Sequence, residues 1–587
     1  MIFNTFFLFV ERHIKIILIG MFILSFGASF FIYKHFYQFG WIASTYYALI
    51  QFVGNIEKPL QDTPQTHYIY YSASLAFLTS VLGFVIVFFK SWVEKWTLYF
   101  LSKDKQHIVV CGFGLNNRYY VDSELTRDKS TNIIIIDNDI SNSYLKRYQK
   151  NYPNVSVIIG DSTKEDVLAN AGVLSCQHIV VSTGSDIRNL TIAKTLDTME
   201  ALKNCKVYVH NSNKNIEIHL NDKSFFENHK NIDFFSYYEN AVRDLFLERE
   251  SLISNVDTVK TDEQVHLLIL GFGDLGQEVA AQAIKLGSFY NKKKLHITAI
   301  DKNQNTKDEF LNMYPAVYEH EICEFEFYAI DVNTFAFHQY IKDHFQATYT
   351  VFALGDDNAT LSSLLKTCDM LKQKSFEDTK KEPEESEESK GPIIAVRFKH
   401  QVNMKLESLF GNVFEFANSR QISNVEMILH KALDKKAQQL NVTYAETNDS
   451  EKEWDELPNF LKDSNRAAVD HRKIKQDIID KLEIDLHTIS DDIKYKLIDV
   501  EHTRWNNFHY MHGFKYKFSD KWISKQKPKT IYTEHKFHSC LVDTSKLKEL
   551  SIQHSKYKKV DYEQIDFSIY LDLQNNLDDK EDDINAT

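Results

Sequence analysis

Two stretches of the chain, HIVVCGFGLNN at residues 107–117 and HLLILGFGDLG at 266–276, share an apolar run, a glycine turn and a helix-like start. Each opens a series in the same order. The first continues through NIIIIDND, which ends in Asp137, then VSVIIGDSTKEDVLANAG, CQHIVVSTGSD and CKVYVH. The second continues through LHITAIDKN, which ends in Asp301, then FEFYAIDV, YTVFALGDDNATL and IIAVRFKH, with Asp331 standing where the first series has Asp161. Apolar runs of strand length alternating with helical stretches predict a doubly wound parallel sheet. A duplication predicts two such sheets, each with its ligand crevice at the carboxyl ends of the strands. A chain of 587 residues exceeds what one core accommodates, so further domains are expected on either side. The run KSFEDTKKEPEESEESKGP at 374–392 is charged and interrupts the second series; it reads as a surface loop.

The second turn keeps all three glycines of a dinucleotide fingerprint, Gly271, Gly273 and Gly276; the first keeps Gly112 and Gly114 and has Asn117 at the third position. Such turns bring backbone N–H groups to a phosphate, and a carboxylate at the next strand end, Asp137 or Asp301, can accept from ribose hydroxyls. The alternative is a turn that only packs strand against helix. No substrate domain with a positioned acid, base or cysteine follows, so no catalytic residue is assigned and an enzyme is not expected. No CxxC pair occurs among the six cysteines, which read as free thiols of a reducing compartment. His502, His509 and His512 lack the i,i+4 pair and carboxylate of a zinc hydrolase, so no metal site is expected. A net charge of −13 gives no support for a nucleic-acid partner.

Taken together, VVCGFG, IIDND, IIGDSTKEDVLANAG and IVVSTGSDIRNLTIAKTL closely resemble the RCK (KTN) domain that regulates potassium channels and Trk-type uptake systems; Gly160-Asp161 followed by EDVLANAG is the specific part. The resemblance covers roughly residues 107–250. It implies a sheet that binds a nucleotide or ion at Gly112, Gly114, Asp137 and Asp161 and gates a pore without chemistry, and it implies a cytoplasmic gating ring for a tandem pair.

Residues 16–33 and 68–89 carry no charge, and each is long enough to cross about 30 Å of hydrocarbon. The surplus of Lys and Arg outside this pair predicts two membrane spans with both termini in the cytoplasm, in a bacterial inner membrane. Between them, WIASTYYALIQFVGNIEKPL resembles the pore helix and filter turn of two-span potassium channels, with Phe52, Val53, Gly54 and Asn55 at the filter. A plain extracytoplasmic loop is the alternative. The family's Thr-Val-Gly-Tyr-Gly is not kept, so poor potassium selectivity is expected, and the resemblance implies a homotetramer in a lipid bilayer. Residues 90–106 read as a continuous helix into the first sheet.

Near the C-terminus, WDELPNFLKDSNRAAVDHRKIK and KLIDVEHTRWNNFHYMHGFKY resemble the RyR domain, the helical module repeated in ryanodine receptors, over about residues 450–555. Arg466 and Arg504 can each offer a bidentate fork to phosphate, and Trp505 a stacking face. The alternative is that Glu501 pairs with an arginine inside a core. The resemblance implies a nucleotide-derived second messenger, whose identity the residues leave open. The resulting expectation is a membrane protein with two transmembrane helices, two tandem α/β Rossmann-like RCK domains and a mostly helical RyR-like domain. Its boundaries are 1–100, 101–255, 256–445 and 446–587. The expected function is a ligand-gated ion channel or pore-forming effector in bacterial defence or stress signalling; the alternative is a non-conducting, membrane-anchored nucleotide sensor or scaffold.

Overall fold

The computed structural model describes, in the main, residues 2–53, 67–84, 106–203, 205–212, 231–379, 391–400, 411–447, 457–517 and 535–553. It forms two compact units: Met1–Val110 with Ser130–His178, and Cys111–Lys129 with Ile179–Thr587.

Strands β1 to β6 span Ile108–Cys111, Ile133–Asp137, Val155–Ile159, His178–Val181, Lys206–His210 and Ile232–Phe235. Strands β7 to β12 span His266–Leu270, His296–Asp301, Glu324–Ala329, Tyr349–Phe352, Ile393–Arg397 and Val413–Phe416. The first sheet has the order β3-β2-β1-β4-β5-β6, and the second, read from its far edge, β9-β8-β7-β10-β11-β12. These are the same order, so the duplication seen in the sequence is a duplication of topology, and both sheets are Rossmann-like. β7, β10 and β11 are buried along most of their length, as expected of parallel strands covered on both faces. The edge strand β9 stays largely exposed. Phe272, Phe310 and Phe325 pack together below the second turn, while Phe337, Phe352 and Phe398 help fill the other face.

The last strand of each sheet, β6 and β12, was not foreseen; IDFF and VFEF are short runs with weak periodicity. The helix Asp357–Thr379 continues into the stretch read as a surface loop, and 380–390 lie outside the described residues.

The membrane reading needs correction. Among the described residues no helix is long and apolar enough to cross a membrane. The N-terminal helix Ile2–His35 carries Glu11, Arg12 and Lys15 in its first half. In the second run, the described helical residues 67–84 are diluted by Tyr68, Tyr70, Tyr71, Ser72, Ser74, Thr79 and Ser80. Polar groups here have partners inside the unit: the buried Gln51 accepts from Ser29 Oγ at 2.5 Å and Ser72 Oγ at 3.2 Å and donates to the Tyr33 hydroxyl at 3.0 Å. The two-span membrane protein is therefore replaced by a helical N-terminal segment knit by these hydrogen bonds. In the expected filter, Gln51–Val53 is a 3-10 turn in which Phe52 packs on Phe22 at 4.8 Å and Val53 is exposed. Gly54 and Asn55, and the helix expected over 90–106 apart from Tyr99 and Gln106, lie outside the described residues.

Candidate nucleotide cleft

Both glycine turns need glycine for a steric reason. Gly112 has φ +88°, and a Cβ there would lie 2.6 Å from the Ser182 carbonyl oxygen. Gly271 has φ +91°, and a Cβ would meet Leu354 Cδ2 at 2.9 Å. Both conformations are left-handed, where a side chain is strained. At Gly114 and Gly273, which cap the following helices Leu115–Arg127 and Asp274–Leu286, a Cβ would point into open space.

The third position separates the turns. In the second, a Cβ on Gly276 would stand 2.0 Å from the Gly271 carbonyl oxygen, so helix and turn touch directly. In the first, Asn117 takes that place and its buried amide donates to the carbonyls of Gly112 at 2.8 Å, Ser182 at 3.1 Å and Cys111 at 3.3 Å. The Tyr237 hydroxyl closes the same spot, donating to Ser182 Oγ at 3.2 Å and Asn117 Oδ1 at 3.4 Å. Asp137 accepts the N–H of Asp139, and Asp161 that of Thr163, so each carboxylate anchors its own turn.

The second turn opens onto a cleft of ≈ 430 Å³ at the carboxyl ends of the strands. Asp301 Oδ2 accepts the Phe272 N–H at 2.7 Å and Oδ1 that of Asn303 at 2.8 Å, which fixes the carboxylate at the mouth of the turn. Asp274, Asp331 and Asp356 share the cleft with two cations, Lys302 and Arg397. Arg397 ends β11 and is only 8% exposed. Its Nη1 donates to the Leu354 carbonyl at 3.4 Å, its guanidinium lies over the Tyr238 ring at 5.7 Å, and its Nε is buried without a partner. Four carboxylates against two cations disfavour a triphosphate, since like charges a few ångströms apart repel strongly where water is excluded. The arrangement suits a ligand with many hydroxyls and few charges: carboxylates accept from ribose, and Arg397 with the helix N-terminus takes one or two phosphate groups. Arg397 escaped the sequence reading, although a strand-end arginine in a doubly wound sheet points at the ligand crevice.

The helix Tyr237–Asp244 serves both turns. Tyr237 reaches the first, while its neighbour Tyr238 lines the second cleft. Further along, the buried Arg243 donates from Nε to Asp470 Oδ2 at 2.8 Å and from Nη1 to Asp434 at 2.7 Å. Gln282, on the helix of the second turn, donates to the same Asp470 oxygen at 2.8 Å.

The C-terminal candidates are largely turned inward. Arg504 is 2% exposed and holds Glu501 through Nε at 3.1 Å and Nη2 at 2.7 Å, with Lys475 Nζ 2.6 Å from the other carboxylate oxygen. Burial alone would raise the Glu501 pKa, but Arg504 and Lys475 hold it at about 2. Trp505 packs among His502, His509 and His538. Glu501 and Arg504 are thus buried and paired with each other, and Trp505 is partly buried beside them. Arg466 is placed differently: it binds Asp434 through Nε and Nη2 and Asp463 through Nη1, and it lines a second cavity.

Residues 108–252 match the family model of the TrkA-N domain. An uncharacterized protein of Methanothermus fervidus is 34% identical over 110 residues, which cover 19% of this chain and 16% of that relative's length. Among solved structures, the GsuK protein bound to ADP is 14% identical, covering 71% of this chain and 97% of its own, with a TM-score of 0.39. The GsuK channel bound to NAD is 11% identical, covering 73% and 85%, with a TM-score of 0.40. The human SLO3 gating ring is 10% identical, covering 58% and 86%, with a TM-score of 0.37. The strand orders carry the fold assignment without these likenesses.

Proposed function

We propose that this chain is a nucleotide-responsive regulator of ion transport, with its ligand in the second cleft. The observation that carries the reading is the buried Arg397, whose Nε has no partner beside the Gly271–Gly276 turn. A buried cation of this kind costs free energy unless an anion completes it. The helix Tyr237–Asp244 would pass occupancy of the cleft to the first turn through Tyr237 and to the C-terminal helices through Arg243. No chemistry on the ligand is expected. A ring of several copies, with a tetramer as the leading case, is the expected working form, and ion flux its expected output. The second reading is a sensor or scaffold that conducts nothing and signals to a partner.

ADP and NAD, the ligands named for GsuK, are the first probes. Calorimetry on the full chain should show one saturable site per chain in this cleft. Arg397→Gln should weaken it about ten- to hundredfold, the loss of one charge-assisted contact. If neither nucleotide binds, or if Arg397→Gln binds as the parent does, the reading fails. Flux through liposomes that carry an ion channel or transporter, with this protein and nucleotide added, separates regulation of ion transport from the scaffold reading.

A further inference from the structure

A cavity of ≈ 250 Å³ lies where the helix Tyr237–Asp244, the segment after β12 and the C-terminal module meet. Its walls are built rather than incidental. Arg466 is clamped by Asp434 and Asp463 through three of its N–H groups, which leaves two further N–H groups on the guanidinium. On one side Phe460 stacks on Phe514 at 4.8 Å and meets His512 edge-on at 5.5 Å, forming an aromatic wall. The Asn240 side-chain nitrogen is buried here with no partner.

Two lysines reach the same cavity from left-handed backbone, Lys431 at φ 43° and Lys536 at φ 51°. Non-glycine residues rarely adopt that conformation, and where they do the strain tends to sit at ligand clamps. Lys431 is held by Asp233 at 2.9 Å. The Lys536 ammonium lies over Gly513, where a Cβ would meet Nζ at 3.5 Å.

We propose that this cavity is a second ligand site, distinct from the cleft, which takes a mononucleotide-class ligand: a flat ring against Phe460 and Phe514, an acceptor atom on Asn240 and a phosphate on Lys536 and Arg466. Because its walls come from three parts of the chain, a ligand here fastens the C-terminal module to the sheets. The proposal stands whether or not the cleft binds ADP.

The test is lysine labelling of the full chain by an amine-reactive reagent, read by mass spectrometry with AMP as the probe. Each site carries its own exposed reporter, Lys302 in the cleft and Lys536 in the cavity. AMP should slow labelling of Lys536, and Phe460→Ala should raise the AMP concentration for half-protection about tenfold, the effect of losing one stacking face. Inorganic phosphate should protect Lys536 far more weakly than AMP. No protection of Lys536 up to about 1 mM AMP, the upper end of common metabolite affinities, overturns the proposal. So does protection that phosphate alone reproduces, or protection that Phe460→Ala leaves unchanged.

Discussion

The first and second glycine turns follow the same strand position in sheets of the same order, yet they differ at the third fingerprint position. Asn117 hydrogen-bonds the carbonyls of Cys111 and Gly112 in the first turn and of Ser182 after β4, and the Tyr237 hydroxyl bonds Ser182 and Asn117 beside it. Gly276 lets helix and backbone touch in the second, whose mouth leads to a cleft with an incompletely paired arginine. One residue at the third fingerprint position therefore replaces direct helix-to-turn contact with side-chain hydrogen bonds. A duplicated fold can in this way keep its scaffold in both copies while the two turns differ in how they are packed, and the proposed function places the ligand in the second. Consecutive tyrosines on a single helix, Tyr237 and Tyr238, then join the first turn to the second cleft.

The largest effect should come from removing the anchor of that helix. Arg243→Ala leaves Asp434 and Asp470 short of a buried partner, and breaking such a pair costs about 3–5 kcal/mol. Hydrogen exchange should then rise in both turns together; faster exchange in one turn alone would show that the helix does not join them. Next, Gly276→Ala forces the turn to move, because the contact is with backbone, at about 1–3 kcal/mol. Its thermal midpoint should fall and its ADP affinity with it. In the first turn, Asn117→Gly should lower stability by about 1–3 kcal/mol through unsatisfied buried carbonyls. ADP affinity at the second cleft should be unaffected, and a loss there would contradict the division of roles.

The smallest effect is a dependence on pH. Burial lowers the pKa of His210, His266 and His538 to about 4 and that of His471 to about 3. Unfolded imidazole titrates near 6.5, so the unfolded chain takes up these protons first. The stabilisation by neutral histidine is complete above about pH 6.5 and declines as pH falls toward 4. Burial opposes protonation of His502, yet Asp566 beside it raises its pKa, so this one residue acts in the other direction. A thermal midpoint that is lower at pH 5 than at pH 7.5 is expected, and one that is higher would contradict the balance.

Five strands of each sheet were legible because apolar runs, glycine turns and acidic strand ends recur in order. The sixth strands were not, since four residues such as IDFF take their pairing from a neighbour rather than from their own pattern. Asn117 was visible as a departure from glycine, but its role depends on three carbonyls that only the folded turn assembles. The pairing of Glu501 with Arg504 was legible, since a spacing of three residues on one helix allows them to meet each other. The N-terminal apolar runs were read by length and lack of charge. That criterion ignores the serines, Gln51 and tyrosines, which find partners within the unit.

The central claim, that the second turn and not the first holds the nucleotide, is tested most directly by photolabelling the full chain with azido-ADP and mapping the adducts. Adducts on Tyr238, the 271–276 turn or the 353–359 loop are predicted, and excess ADP should remove them. Adducts on the 112–117 turn or on 182–184 instead would contradict the account.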